Sequence, residues 1–220
     1  HTPISATVYA QIIHEAGYPA GVFNLVQGDG PSVGSALSCH PDVQMMSFTG
    51  STRAGKAITR DAADTVKRVT LELGGKSPNL VFADCDLEAR VTASVLECFY
   101  NTGQSCDAPT RMLVERSCYD QTLEIARRVA MDQAVGDPCQ EGDHIGPLFD
   151  QIQFDRVQAL IKVGIDEGAR VLCGGAGKPE GLETGWFVRP TIFVDVTDTM
   201  RVTREEIFGP VLVIMPFDDE

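Results

Sequence analysis

Residues 66–82 read Val-Lys-Arg-Val-Thr-Leu-Glu-Leu-Gly-Gly-Lys-Ser-Pro-Asn-Leu-Val-Phe, two short apolar runs on either side of a glycine pair. Runs of this length are typical of buried strands, and glycine and proline between them indicate a turn. The first run predicts a strand over Val66–Leu73 and the second a strand over Asn79–Phe82. Because the pattern restarts after the glycine pair, we predict a domain boundary there, between residues 1–73 and 74–220.

Strands alternate with short helices on both sides of this boundary. Before it, the pattern predicts a helix beginning at Thr2-Pro3, strands at Val22–Val26 and Val43–Phe48, and helices at Ser32–Cys39 and Arg53–Ala63. After it, the pattern predicts helices at Leu87–Tyr100, Tyr119–Met131 and Gln153–Glu167, and strands at Arg111–Val114, Val171–Leu172, Phe187–Val194 and Val211–Met215. Two segments rich in glycine and proline, 136–147 and 174–185, are predicted to be surface loops. The alternation predicts an α/β fold whose parallel sheets are covered on both faces.

Composition limits the classes of function. Of 220 residues 43% are hydrophobic, which is enough for a packed core, and no apolar run approaches the roughly 20 residues that cross a bilayer. We therefore expect a soluble protein without a membrane partner. The formal charge is 18 − 31 = −13, so a nucleic-acid backbone would be repelled. A small anionic cofactor remains possible, since backbone N–H groups can hold phosphate.

The seven cysteines are odd in number and irregularly spaced, and the sequence has no C-x-x-C pair. This spacing favours neither a zinc site nor a disulfide framework, so we expect no metal. Free thiols are typical of a reducing compartment, and we expect the protein in the cytoplasm.

Two glycine-rich turns follow predicted strands, an arrangement that can hold phosphate at a helix N-terminus. The turn over 28–34 reads G-x-G-x-x-x-G, one residue away from the dinucleotide fingerprint, and an ordinary turn remains equally open. The segment 50–57 reads G-x-x-x-x-G-K-A, a near match to the P-loop of nucleoside-triphosphate enzymes. Ala57 stands where that loop has its Mg²⁺-binding hydroxyl, which argues against an ATPase. Backbone amides and the Ser51 hydroxyl could still bind a phosphate.

Glu72 and Cys106 are the two candidate catalytic residues. Glu72 ends an apolar strand beside two glycines, and the carboxyl ends of parallel strands are where such sheets build sites. A carboxylate there suits general-base work, although a surface glutamate is an open alternative. Cys106 follows Asn-Thr-Gly-Gln-Ser on a predicted loop, where its thiol is either reactive or inert.

Four motifs occur in the order found in NAD(P)-dependent aldehyde dehydrogenases. They are Phe-Thr-Gly-Ser-Thr at 48–52, Leu-Glu-Leu-Gly-Gly-Lys-Ser-Pro at 71–78, Phe-Tyr-Asn-Thr-Gly-Gln-Ser-Cys at 99–106 and Glu-Glu-Ile-Phe-Gly-Pro at 205–210. The interval between the glutamate and the cysteine, 106 − 72 = 34 residues, matches the family pattern. The chain therefore resembles this family from His1 to Glu220. The resemblance implies the later part of a Rossmann-type dinucleotide-binding domain, followed by a second α/β catalytic domain.

The resemblance also implies roles for individual residues. Cys106 would attack an aldehyde as a thiolate, its backbone N–H would help to hold the oxyanion, and Glu72 would activate the water that releases a carboxylic acid. The cofactor would be NAD or NADP. The implied cofactor-binding residues are Gly50, Ser51, Gly55, Leu73, Gln153, Glu206 and Phe208.

The match to the family is incomplete. Its oxyanion asparagine and its adenosine-ribose ligands would precede residue 1, so the sequence does not choose between NAD and NADP. We expect the chain to be part of a longer protein, inactive if limited to these 220 residues and a homodimer or homotetramer at full length. Asp107 stands where the family usually has an uncharged residue, and its charge predicts a preference for neutral or cationic aldehydes.

Other functions stay open at this point. A CoA-acylating aldehyde dehydrogenase would pass the thioester to CoA, but such enzymes typically lack a base at the position of Glu72. An inactive family member is a non-enzymatic alternative. A P-loop phosphotransferase and a papain-type cysteine protease are further alternatives, disfavoured by Ala57 and by the absence of a Cys-Gly-Ser-Cys-Trp sequence respectively.

Overall fold

The computed structural model describes residues 2–219, and the chain divides into two compact units, His1–Gly74 and Gly75–Glu220. The division falls after the first glycine of the pair, one residue beyond the predicted limit. Both units contain parallel strands connected by helices, which confirms the α/β fold class. No helix among residues 2–219 is long and apolar enough to span a membrane.

The first unit is built on a two-stranded parallel sheet. Its elements are α1 (Pro3–Glu15), a π-helical turn (Gly30–Gly34) that runs into α2 (Ser35–Cys39), β1 (Met45–Gly50), α3 (Thr52–Ala62) and β2 (Arg68–Leu73). Helix α3 connects the two strands, as a parallel pair requires. The predicted strands Val43–Phe48 and Val66–Leu73 therefore exist with shifted ends.

The predicted strand at Val22–Val26 is wrong. This segment has no strand assignment, and its large apolar side chains are exposed. A strand exists only when its N–H and C=O groups meet those of a neighbouring strand, and none of the described strands pairs with this segment. Apolar composition alone predicted a strand that has no partner.

The second unit contains a five-stranded sheet. Its strands are β3 (Pro78–Val81), β4 (Arg111–Glu115), β7 (Arg170–Cys173), β8 (Thr191–Val194) and β9 (Val211–Phe217). Their order in the sheet is β3-β4-β9-β8-β7. Its helices are α4 (Leu87–Phe99), α5 (Tyr119–Asp132), α6 (Gln151–Asp166) and the short α7 (Arg201–Arg204). A separate parallel pair, β5 (Ala134–Val135) and β6 (His144–Ile145), partly overlaps the segment predicted as a surface loop.

Successive side chains of β9 enter two different cores. Leu212 and Ile214 belong to the cluster formed with α4 and α5, whereas Val211 and Val213 belong to the cluster formed with α6. All four are fully buried. The central strand is therefore covered on both faces, which explains its continuous apolar sequence.

The sheet of the second unit is mixed rather than wholly parallel. Strand β7 pairs antiparallel with β8, because the loop between them contains no crossover helix. The predicted strand Phe187–Val194 is real only from Thr191 onward. Pro190, directly before it, has no N–H to donate to a neighbouring strand.

Candidate active site

Five of the predicted site residues meet in the first unit, at the carboxyl ends of β1 and β2. The register pairs Thr49 with Glu72 and Gly50 with Leu73. Glu72 is exposed, so its carboxylate is accessible to water in this unit. The carboxyl ends of parallel strands are the edge at which α/β sheets build ligand sites.

Helix α3 begins at this edge with a side-chain cap. The Ser51 hydroxyl accepts a hydrogen bond of 3.2 Å from the Ala54 N–H. The Gly55 N–H donates to the Ser51 carbonyl at 3.0 Å, the first bond within the helix. The N–H groups of Thr52 and Arg53 precede that bond, so they are the donors that this helix can offer to an anion. Ser51 and Gly55 thus order the beginning of the helix, because the Ser51 hydroxyl and the Gly55 N–H are already hydrogen-bonded within it.

Two glycines allow the close packing of this turn. Gly50 has a φ of +156°, and a Cβ there would lie 2.6 Å from the Phe48 ring. A Cβ on Gly55 would lie 3.0 Å from a Leu73 methyl group, so glycine brings α3 tightly against β2. Leu73 is half-buried by this contact rather than projecting freely.

The other glycine turn is occupied by a carboxylate. Asp29 accepts hydrogen bonds from the N–H of Ser32 at 2.7 Å and from its hydroxyl at 2.6 Å. These bonds lower the pKa of Asp29, which keeps it ionised at the start of the π-helical turn. A negative group at that position competes with phosphate. Of the two glycine turns, the start of α3 is therefore the better phosphate site.

An apolar cleft lies beside the start of α3 within the first unit. The sequence did not predict it, because its walls come from separate segments. Its lining includes Pro31 in the π-helical turn, Met46 and Phe48 on β1, and Ala57 and Ile58 on α3. A flat apolar group joined to a phosphate could enter the cleft while the phosphate meets the helix N-terminus.

In the second unit, Cys106 follows a strained loop. Asn101, Thr102 and Gly103 have φ values of +49°, +59° and +69°, three consecutive left-handed residues. Such a conformation is costly for a β-branched residue such as Thr102, and it persists only when the surroundings enforce it. The buried Thr102 hydroxyl donates to the Gly146 carbonyl at 2.9 Å.

Asparagine and glutamine side chains close the same loop. The Asn101 side-chain amide donates to the Gln104 carbonyl, and the Gln104 amide donates to the Asn101 carbonyl, both at 3.1 Å. The side-chain oxygen of Gln104 also accepts from the Phe149 N–H at 3.0 Å, just before α6. The Cys106 thiol is exposed beyond this anchored segment. The loop therefore presents the thiol from a fixed backbone.

The loop of Cys106 packs directly on the segment that carries Glu206 and Phe208. A Cβ on Gly103 would lie 2.2 Å from the Gly209 carbonyl oxygen and 2.8 Å from the Pro210 nitrogen. Only glycine permits this approach. The structure thus brings together three predicted site residues of the second unit on neighbouring loops, with Glu206 and Phe208 half-buried.

Gln153 also contacts that segment. It is buried in α6, and its side-chain amide donates to the carbonyls of Ile207 at 3.0 Å and Phe208 at 2.8 Å. Phe208 itself is left-handed, with a φ of +58°. The predicted cofactor neighbour therefore holds the backbone of the residues beside it.

A fixed negative charge adjoins the nucleophile candidate. Asp107 is exposed and accepts a hydrogen bond of 2.5 Å from the Ser105 hydroxyl. This bond lowers the pKa of Asp107, so the carboxylate is ionised at neutral pH. The residues on both sides of Cys106 are thereby linked to each other.

A buried lysine in the second unit was missed by the sequence reasoning. Lys76 follows the glycine pair, is 9% exposed, and its amine has no hydrogen-bond partner among the described residues. Burial lowers the pKa of Lys76 to about 8, with the nearby Cys98, Arg111 and Glu206 as smaller influences. Burial likewise raises the pKa of Cys98 to about 12, so this thiol is not a competing nucleophile. No periodicity in the sequence distinguished Lys76 from an exposed lysine.

The whole chain, residues 1–220, matches the profile of the aldehyde dehydrogenase family. The protein belongs to this family, as the four motifs predicted. Among curated proteins, it is 53% identical to 3-succinoylsemialdehyde-pyridine dehydrogenase from a Pseudomonas species, over 99% of this chain and 46% of that protein. It is 47% identical to a putative aldehyde dehydrogenase of Staphylococcus saprophyticus, with the same coverage.

Solved structures of the family have the same fold. Aldehyde dehydrogenase from Bartonella henselae matches with a TM-score of 0.96 and 55% identity, over 99% of this chain and 45% of that one. A cysteine-to-alanine mutant of aldehyde dehydrogenase C from Pseudomonas syringae, in complex with NAD+ and octanal, matches with a TM-score of 0.97 and 50% identity, again over 99% and 45%. The chain thus spans less than half of the length of these relatives.

The contact between Gly103 and Gly209 predicts the effect of a single methyl group. We expect Gly103→Ala to destabilise the full-length protein by about 2 kcal/mol or more, from a non-glycine residue in the left-handed region and a clash with backbone. Gly146→Ala is the matched control, since its added Cβ would find its nearest neighbour at 3.8 Å. The free energy of unfolding in urea compares the two. Equal stability of both variants would contradict the close approach.

Proposed function

We propose that the full-length protein oxidises an aldehyde to a carboxylic acid, with NAD or NADP as hydride acceptor and Cys106 as nucleophile. The observation that carries the proposal is the exposed Cys106 thiol on an anchored, strained loop. That loop packs through Gly103 against the backbone next to Glu206 and Phe208. Backbone strain of this kind clusters at functional sites.

The first unit has the features that a dinucleotide needs. The start of α3 offers the Thr52 and Arg53 N–H groups to a phosphate, and the apolar cleft beside it is suited to a flat base. Relatives solved with NAD+ include the proteins from Pseudomonas syringae and Bacillus cereus. In the second unit, Glu206 would bind the nicotinamide ribose and Phe208 would pack near the nicotinamide.

The chemistry assigned to this chain has two halves. In the first, the Cys106 thiolate forms a C–S bond to the aldehyde carbon, and the Cys106 N–H donates to the resulting oxyanion. The cofactor, when bound, supplies the acceptor for the hydride, whose loss leaves a thioester on Cys106. In the second half, Glu72 takes a proton from water as the water oxygen attacks the thioester carbon. The C–S bond then breaks, which releases the acid and returns the thiolate.

Transfer of the acyl group to CoA is the alternative. Glu72 favours hydrolysis over this route, because a general base serves the attack of water whereas CoA brings its own thiol nucleophile. An inactive family member would keep the fold without the chemistry. The presence of both Cys106 and Glu72 argues against that alternative.

Location and assembly are further proposals. All seven cysteines are free thiols, which supports a reducing compartment such as the cytoplasm. We propose that the full-length protein is a homodimer or homotetramer. We also expect that only the full-length protein is active.

Substitution of Glu72 separates the two halves of the reaction. Glutamine cannot accept a proton, so Glu72→Gln should retain a first-turnover burst of NAD(P)H while steady-state kcat falls roughly 10²- to 10⁴-fold. Stopped-flow absorbance measures both phases, and product analysis with and without CoA distinguishes the acid from an acyl-CoA. Glu124→Gln, on the exposed side of α5, is the control and should behave as wild type. An unchanged kcat for Glu72→Gln would exclude it as the base, and acyl-CoA as the product would support the alternative.

The charge of Asp107 predicts a preference among aldehydes. Its carboxylate beside the nucleophile should repel anionic substrates, so an aminoaldehyde should have a higher kcat/KM than succinic semialdehyde. We expect Asp107→Asn to shift the ratio of the two kcat/KM values toward the semialdehyde by roughly 3- to 10-fold. Asp132→Asn, at the end of α5, should leave the ratio unchanged. A wild-type preference for succinic semialdehyde would contradict this prediction.

A further inference from the structure

Two side chains of helix α6 donate hydrogen bonds to three consecutive carbonyl groups in the segment 206–208. The Arg156 guanidinium donates to the Glu206 carbonyl at 2.6 Å. The Gln153 side-chain amide donates to the next two, those of Ile207 at 3.0 Å and Phe208 at 2.8 Å. Gln153 and Arg156 are three residues apart, so they project from the same face of the helix.

Both N–H bonds of the Gln153 amide are used on this backbone. A side-chain amide has two donors, and each meets one carbonyl oxygen. Gln153 is only 6% exposed, and its bond to Ile207 is buried whereas its bond to Phe208 is partly buried. Loss of the amide would therefore remove the donor of one buried and one partly buried carbonyl. The backbone N–H of Gln153 donates a hydrogen bond of 2.8 Å to the Asp150 carboxylate, which caps the first turn of α6. The glutamine is therefore fixed at both its backbone and its side chain.

The segment 206–208 depends on contacts with other parts of the unit for its conformation. It lies between α7 and β9 without regular structure, and Phe208 is held at a φ of +58°. A bulky residue in the left-handed region is strained, and the conformation persists only where surrounding contacts enforce it. Carbonyl groups held in place fix the adjoining backbone dihedral angles, and these set the directions of the Glu206 and Phe208 side chains.

We propose that Gln153 is a positioning residue that acts through the Ile207 and Phe208 carbonyls to aim Glu206 and Phe208 at the cofactor, with Arg156 as its partner. This inference rests on the proposed function, because it assumes that Glu206 and Phe208 bind NAD(P). It assigns to Gln153 an indirect role in place of the direct cofactor contact that the family resemblance implied. The Cys106 loop also has anchors outside this segment, since the Gln104 side chain accepts from the Phe149 N–H and the Thr102 hydroxyl donates to the Gly146 carbonyl.

The test compares two glutamines of the same helix in the full-length protein. Gln153→Met keeps the length of the side chain but removes both donors. Gln158 also bonds to backbone, since its side chain accepts from the Gly177 N–H at 2.6 Å, but on a different loop. Gln158→Met is therefore the matched control for a merely structural loss. NADH fluorescence titration gives the dissociation constant, and mass spectrometry of the Cys106 peptide gives its alkylation rate by iodoacetamide.

We expect Gln153→Met to raise the NADH dissociation constant and the KM for NAD+ by about tenfold or more, because one buried and one partly buried hydrogen bond are lost. Alkylation of Cys106 should stay within about twofold of wild type, since the bonds of its loop to the Phe149 N–H and the Gly146 carbonyl are intact. Gln158→Met should change neither quantity. If Gln153→Met does not fold, Arg156→Met and Arg156→Lys replace it, and the lysine variant, which keeps a donor, should bind NADH more tightly than the methionine variant.

Three outcomes would overturn the inference. The first is an equal loss of NADH affinity in the Gln153 and Gln158 variants, and the second is equal affinity of the two Arg156 variants. The third is a parallel loss of NADH affinity and Cys106 alkylation, which would indicate collapse of the whole site. Each of these three outcomes concerns the variants alone and is compatible with an active wild-type protein. Wild-type protein that binds neither NADH nor NADPH and oxidises no aldehyde with either NAD+ or NADP+ would instead refute the proposed function, and this inference with it.

Discussion

The close approach of Gly103 to Gly209 is the constraint on which the second unit's candidate site depends. Two loops far apart in sequence meet here backbone to backbone, at a separation that leaves no room for a Cβ. One loop continues to Cys106 and the other carries Glu206 and Phe208. Each contains left-handed residues other than glycine, so each needs external contacts to keep its shape. Packing them on each other, and both against the beginning of α6, supplies those contacts.

The proposed phosphate site of the first unit lies in a chain of net negative charge. The start of α3 would offer the Thr52 and Arg53 N–H groups to a phosphate, and Ser51 orders that start by capping the Ala54 N–H. Asp29 makes the other glycine turn unsuitable by occupying it. The two turns have similar sequences. They differ in the side chain that accepts a hydrogen bond from the N–H groups at the helix start, which is Asp29 in one and Ser51 in the other.

Much of the fold could be predicted from the sequence. The motif order identified the family, and apolar periodicity located most helices and strands, since buried faces repeat with the geometry of helix and strand. The strand at Val22–Val26 failed because pairing depends on a partner that composition does not reveal. The antiparallel β7 and the burial of Lys76 were likewise invisible, being set by tertiary contacts. Arg156 was missed although its three-residue spacing from Gln153 was available.

The central claim is that Cys106 carries the acyl group during turnover. Rapid quenching of the full-length protein with an aldehyde and NAD+, followed by peptide mass spectrometry, tests it most directly. The account predicts a thioester whose added mass equals that of the acyl group, located on the peptide that contains Cys106. Its absence from Cys106 during active turnover, or its presence on another cysteine, would contradict the account.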